Sequence, residues 1–281
     1  MQNGRKLNRL QSLLPQGFVA DASWLEAQGY SRTLRSKYVA QGWLEQAARG
    51  VYCRPGGLQC WEQVVVSLQS LMRLPVAVGG GTALHLQGYA HYLPIGGEPE
   101  VQLYTEVPLP GWLGKLDLRT SFEAHNASRL LPAGGIAQTI AALPLPASTD
   151  FDPADLILGQ GLRALSWGQP ARPLVVSTAE RAILEMIDEL PKGESFENVD
   201  AIMEGLGTLS PRRLQTLLEA CRSIKVKRLF LWFAERHGHP WLKQVDTERV
   251  NIGSGKRVIA KGGRLDSRYQ ITVPETLHGD K

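Results

Sequence analysis

Arg32, Thr33 and Ser36 fall on one stripe of a helix that Ser31 is set to cap and Gly42 to stop. A guanidinium and two hydroxyls at that spacing suit the reading of base edges in duplex DNA. The major groove admits one helix, an arginine pairs bidentately with guanine, and hydroxyls reach several bases. Arg35 and Lys37 flank the stripe, and Arg5, Lys6 and Arg9 precede it. These five are expected on phosphates, contacts that position a protein without specifying sequence. Arg49 falls at the tip of an expected hairpin, where a wing reaches the minor groove or the backbone.

A second constellation is Gly79-Gly80-Gly81-Thr82, between an expected strand and an expected helix. Its spacing is that of neither a Walker A loop nor a dinucleotide fingerprint. Strand, glycines, threonine and helix in that order resemble the opening of the nucleotidyltransferase fold. That chemistry needs an acidic pair on the next strand to hold metal ions for phosphoryl transfer. Glu98 and Glu100 are the candidates, but Pro99 separates them and Gln102 stands where a second acid would fall. The expectation is therefore a tight turn with close backbone approach and no catalysis. The alternatives are a nucleotidyltransferase using this turn with Glu98 and Glu100, or a protein-interaction module. His85 reads as a structural histidine and the His237/His239 pair as a helix C-terminus. No catalytic residue, metal site or cofactor is expected.

Positioning the reader requires a particular order of elements. Residues 5–14 have helical spacing, Phe18 and Val19 are extended, and Asp21 or Ser23 begins a helix that Gly29 ends. The helix from Ser31 to Gln41 follows, then strands over 43–47 and 51–54 joined through Ala48-Arg49-Gly50. Trp24, Tyr38 and Trp43 are expected in the core. The order is that of a winged helix-turn-helix over residues 1–58. Residues 59–281 read as a larger mixed α/β domain, so the fold class is α+β. Within it the patterns predict a helix over 60–73, strands over 75–78, 100–104, 116–121, 174–176 and 269–273, and a helix from Thr82 to about Tyr89. Residues 132–172 read as loops and short elements. Ser177-Thr178-Ala179-Glu180 reads as a capping box opening a helical region over 177–238.

Charge is unevenly spread. The chain carries net +4, yet its first 60 residues hold eight basic and three acidic groups and its last 60 hold thirteen and six, leaving a middle of net −8. A basic head and a basic tail around an acidic middle suggest different partners for different parts. Three cysteines without C-x-x-C spacing argue against a disulfide framework or a zinc ribbon. With no apolar run near a membrane span and no signal-peptide core, the expectation is a soluble, cytoplasmic protein with no membrane partner.

Four segments carry a resemblance: WLEAQGYSRTLRSKYVAQGWLEQAARGVYCRPG, GGGTALHLQGYAHYL, VSTAERAILEMIDEL and GKRVIAKGGRLDSRYQITVP. Together they resemble the AbiEi family, the antitoxins of type IV toxin–antitoxin (abortive infection) systems, over nearly the whole chain. The resemblance implies a winged-helix head that represses its own operon at inverted repeats in double-stranded promoter DNA. It also implies a C-terminal antitoxin domain that neutralises a cognate nucleotidyltransferase-like toxin. Arg32, Arg35, Lys37 and Arg49 fall on the recognition helix and wing. The basic tail, from Lys225 and Arg228 to Arg264 and Arg268, is left open between DNA and an acidic partner.

Overall fold

The computed structural model describes residues 2–58, 60–89, 100–143, 157–169 and 171–277. The chain divides into two compact units. The first comprises Met1–Val78, Gly96–His125 and Gly134–Val176; the second comprises Gly79–Ile95, Asn126–Ala133 and Ser177–Lys281. These lines differ from a division at residue 58, because the chain passes between the units several times. The fold is mixed α/β.

The first unit begins with α1 (Gln2–Leu13), β1 (Val19–Asp21), α2 (Ala22–Ala27), α3 (Arg32–Ala40), β2 (Glu45–Ala48) and β3 (Val51–Cys53). The three strands form an antiparallel sheet in the order β1-β3-β2. The order of these helices and strands is the one the sequence predicts. Each short helix has its own start signal. Asp21 accepts a hydrogen bond from the Trp24 N–H at 2.7 Å, and Ser31 accepts one from the Leu34 N–H at 3.4 Å. Leu10, Leu14, Leu25, Tyr30, Tyr38, Leu44 and Val51 form the buried centre.

α4 (Trp61–Val66) runs into a π-helical turn over Ser67–Leu71. That turn ties the head to the rest of the unit. The Ser67 hydroxyl accepts from the Val19 N–H, and the Trp24 indole donates to the Leu71 carbonyl. The widened turn also buries Gln69, whose amide donates to the Val76 and Val175 carbonyls and accepts from the Val175 N–H. Gln69 thus serves as a side-chain rung between β4 (Val76–Val78) and a parallel neighbour that contains Val175.

After α5 (Gly80–Leu86), which belongs to the second unit, the first resumes with β5 (Glu100–Thr105), β6 (Ser121–Asn126), α6 (Gly135–Ala142), β7 (Ile157–Leu158), β8 (Leu162–Trp167) and β9 (Arg172–Ser177). They make a six-stranded sheet in the order β6-β5-β4-β9-β8-β7. One expectation needs correction: the strand expected over 116–121 lies at Ser121–Asn126. The described part of 132–172 holds the short elements α6, β7 and β8. α6 lacks an N-cap side chain of its own; Glu106 supplies one from a distance, accepting from the Gly134 and Ile136 N–H groups at 2.9 and 3.1 Å.

The second unit is helical around α7 (Ala179–Asp188), which packs against α5, α8 (Phe196–Gly205), α9 (Pro211–Ala220) and α10 (Ile224–His237). The expected capping box does not form. The Ser177 hydroxyl donates to Glu185, while Glu180 is buried and takes Arg213 and the Ser210 N–H. Burial pushes the Glu180 carboxyl up, but those hydrogen bonds outweigh it and hold the group below its usual value. β10 (Arg264–Asp266) and β11 (Ile271–Val273) pair antiparallel in the tail.

Candidate nucleic-acid interface

On α3 the side chains of Arg32, Thr33, Ser36 and Lys37 are exposed, while Tyr38 is buried and Leu34 half-buried. A helix turns about 100° per residue, so packing Leu34 and Tyr38 inward presents the Arg32–Thr33–Ser36 stripe to solvent. Arg49 is exposed in the turn between β2 and β3, where Gly50 takes φ +78°. Arg5, Lys6 and Arg9 are exposed on α1.

Arg35 is the correction on this face. It is 4% exposed, so it does not flank the stripe at the surface. Its guanidinium donates to the Tyr30 carbonyl at 2.5 Å, lies 3.8 Å from Glu26 and sits 5.8 Å from the Tyr52 ring centroid. It therefore clamps the α2–α3 connection to the wing strand from inside. The Tyr30 hydroxyl extends the clamp to α1 by donating to the Lys6 carbonyl at 3.0 Å.

Trp43 is the second correction, because it is 44% exposed and not core. The N–H groups of Trp43 and Leu44 both bond to the Tyr38 carbonyl. Leu44 takes the inward place, and Trp43 faces out at the foot of the wing. Spacing at the chain reversal is the only signal that separates the two, and it is ambiguous by one residue.

The glycine turn behaves differently. Gly80 takes φ +53° and its N–H donates to Glu185 at 3.0 Å. The same carboxylate accepts from the Ser177 hydroxyl at 3.0 Å and from Arg181 at 2.6 Å, all in the interior of the second unit. An internal anion thus occupies the place where a phosphate would approach the glycine backbone. Glu100 is exposed at the start of β5; Glu98, His91 and Tyr92 lie outside the described residues. His85 is exposed on α5. His237 bonds to Asp200 and His239 to the Met203 carbonyl around the left-handed Gly238 that ends α10.

The basic tail divides in two. Arg228 is 2% exposed and donates to the Ile252, Gly255 and Gln270 carbonyls, so it holds the tail in place. Lys227 is buried, Lys225 bonds to Asp188, and Arg236 bonds to Asp200. Lys256, Arg257, Lys261 and Arg264 are exposed, as is Arg268, which pairs with Glu235. Among the described residues, no helix is long and apolar enough to cross a membrane.

Two family profiles match. One, described as the AbiEi antitoxin N-terminal domain of a transcriptional regulator, covers residues 3–95; the other, described as a transcriptional regulator, AbiEi antitoxin, type IV TA system, covers residues 159–274. No curated protein matches the chain. Among solved structures, the crystal structure of RV2827C protein from Mycobacterium tuberculosis is similar, with TM-score 0.50 and 15% identity over 95% of this chain and 89% of that one. At that identity the likeness is one of fold alone. The two profiles together span most of the chain, one on the segment with the exposed helix and wing and one on the helical second unit: the protein belongs to the AbiEi family of type IV toxin–antitoxin transcriptional regulators.

Proposed function

We propose that residues 1–58 act as a winged helix-turn-helix that binds the protein's own promoter at inverted repeats. Residues 59–281 neutralise a cognate nucleotidyltransferase-like toxin. The observation that carries the DNA reading is the shared exposure of Arg32, Thr33, Ser36 and Lys37 on one side of α3, with Arg49 exposed at the wing tip. Arg32, Thr33 and Ser36 read base edges; Lys37, Arg49, Arg5, Lys6 and Arg9 hold phosphates. Arg35 has no DNA contact in this reading, since its guanidinium is spent inside the head. We assign no catalytic step to Gly79–Gly81, because Glu185 already takes the Gly80 N–H.

Mobility-shift titration of the promoter against salt tests the DNA half. Wild type should bind with affinity that falls steeply as salt rises. Arg32→Ala/Ser36→Ala should lose that binding while melting at the wild-type temperature. Equal promoter affinity in wild type and double variant would remove α3 as the reading element. The antitoxin half predicts relief of toxin growth arrest by full-length Arg32→Ala/Ser36→Ala, which keeps residues 59–281 intact. Loss of relief in that variant would overturn the division of labour.

A further inference from the structure

Trp43 is the one exposed tryptophan among the described residues. The other exposed large apolar side chains, Val107, Val258 and Leu265, lie outside the head. A single exposed apolar group is ordinary by itself. This one differs in how it is held and in what surrounds it. Gly42 takes φ +71° to reverse the chain after α3, and the Trp43 and Leu44 N–H groups bond to the Tyr38 carbonyl at 2.8 and 3.2 Å. Leu44 turns inward at that reversal, so the indole of Trp43 stands outward on backbone that is already fixed.

Arg32, Thr33, Ser36, Lys37, Ala40 and Gln41 are all exposed. At 100° per residue they occupy one half of the helix surface. The exposed run then continues through Gly42 to Trp43. From Ala27 to Leu44 the chain holds Arg32, Arg35 and Lys37 and no acidic residue. Glu45 follows, but its carboxylate accepts from the Gly56 N–H at 3.3 Å, at the open end of the hairpin. Such surroundings attract a polyanion. α3 spans nine residues, hence about 13 Å, close to the ~12 Å width of a B-DNA major groove. With Arg32 and Thr33 among the bases at one end, the other end meets the groove wall, which is sugar and phosphate.

We propose that Trp43 packs its indole ring on a deoxyribose of that wall and donates its ring N–H to the adjoining phosphate. The inference rests on the promoter reading above. It adds to that reading an uncharged contact, which positions α3 on the duplex and is blind to sequence.

Full-length Trp43→Ala, titrated onto promoter and unrelated duplexes over a range of salt, tests it. Binding should weaken at least about fivefold on both duplexes alike, because apolar area goes uncovered. The slope of log affinity against log salt should keep its wild-type value, since no charge is lost. The melting temperature should stay at the wild-type value, because the side chain is exposed. Acrylamide quenching of tryptophan emission gives a second measurement. The Trp43 signal is the difference between wild type and Trp43→Phe, and either duplex should shield it. Wild-type affinity in Trp43→Ala, a changed salt slope, or Trp43 emission quenched equally with and without duplex would each overturn the proposal. So would a DNA-free Trp43→Ala that sediments as a smaller species than wild type, which would make Trp43 a contact between copies of the chain. Wild type that binds neither duplex would remove the promoter reading itself, and this contact with it.

Discussion

Two helices in this protein begin at places that suit an anion, and they meet opposite ends. α3 starts at Ser31 with Arg32 and Thr33 exposed and no acidic residue in its first turn. α5 starts in the glycine turn, and Glu185 fills that start from within the second unit. Both stretches have the residue types of a phosphate or nucleic-acid site. The difference lies in whether the protein supplies the negative charge itself. Where it does, the turn is part of a core; where it does not, a helix and its cations stay exposed.

The largest expected effect breaks the closed side of that comparison. Glu185→Ala would leave Arg181 as a buried cation and the Gly80 N–H and Ser177 hydroxyl without their acceptor. Removing one partner from a buried pair costs about 3–5 kcal/mol. Urea unfolding of the variant should show a loss of that order. A loss below about 1 kcal/mol, or newly acquired binding of a nucleoside triphosphate, would mean that the turn is a ligand site after all.

The open side is sharpened by two arginines three residues apart. Arg35→Ala removes the clamp on the Tyr30 carbonyl and should cost about 1–3 kcal/mol of stability, because a buried acceptor is left unpaired. Arg32→Ala should change stability by less than about 0.5 kcal/mol. It should weaken promoter binding by about 1–3 kcal/mol, as expected for one base contact. Thermal melts and mobility shifts on the same two variants decide it. The reverse pattern would exchange their roles.

That pair also marks the limit of what the sequence reveals. The order of helices and wing, the Ser31 cap and the outward stripe follow from local spacing, so they are legible. Arg35 sits beside the Leu34–Tyr38 face, and its burial depends on Tyr30 and Tyr52, which spacing on α3 does not locate. Trp43 differs from Leu44 by one place at a chain reversal, enough to exchange inside for outside. The segment Ser177–Glu180 has a capping-box pattern, yet long-range partners Glu185 and Arg213 claim both side chains. α6 hides in a Pro/Gly/Ala-rich stretch because its cap, Glu106, lies 28 residues away. Local rules fail where a distant charge competes for the same group.

Glu180 gives the closed side a pH signature. A carboxyl held below its unfolded value stabilises the fold fully above that unfolded value, about 4.3 for glutamate. The stabilisation fades as pH falls through the lower, folded value. Wild-type stability should therefore decline on acidification below about pH 5, and Glu180→Gln should flatten that part of the decline. Melting temperatures from neutral pH down to acid measure it. Parallel curves for the two proteins would show that Arg213 and Ser210 gain nothing from the charge.

The smallest expected effect tests the edge of the open side. Arg49 is exposed in the wing turn, so it is either a phosphate contact or a solvated charge. Affinity alone separates these poorly, since one rim contact changes it only severalfold. The salt dependence is more direct. Each phosphate neutralised contributes about 0.9 to the slope of log affinity against log salt. Arg49→Ala should lower that slope by about one and weaken promoter and unrelated duplexes alike. An unchanged slope would confine the interface to α3 and α1 and leave the wing without a contact at its tip. A loss seen with the promoter alone would instead make Arg49 a reader of sequence, because a phosphate contact is blind to the base beside it.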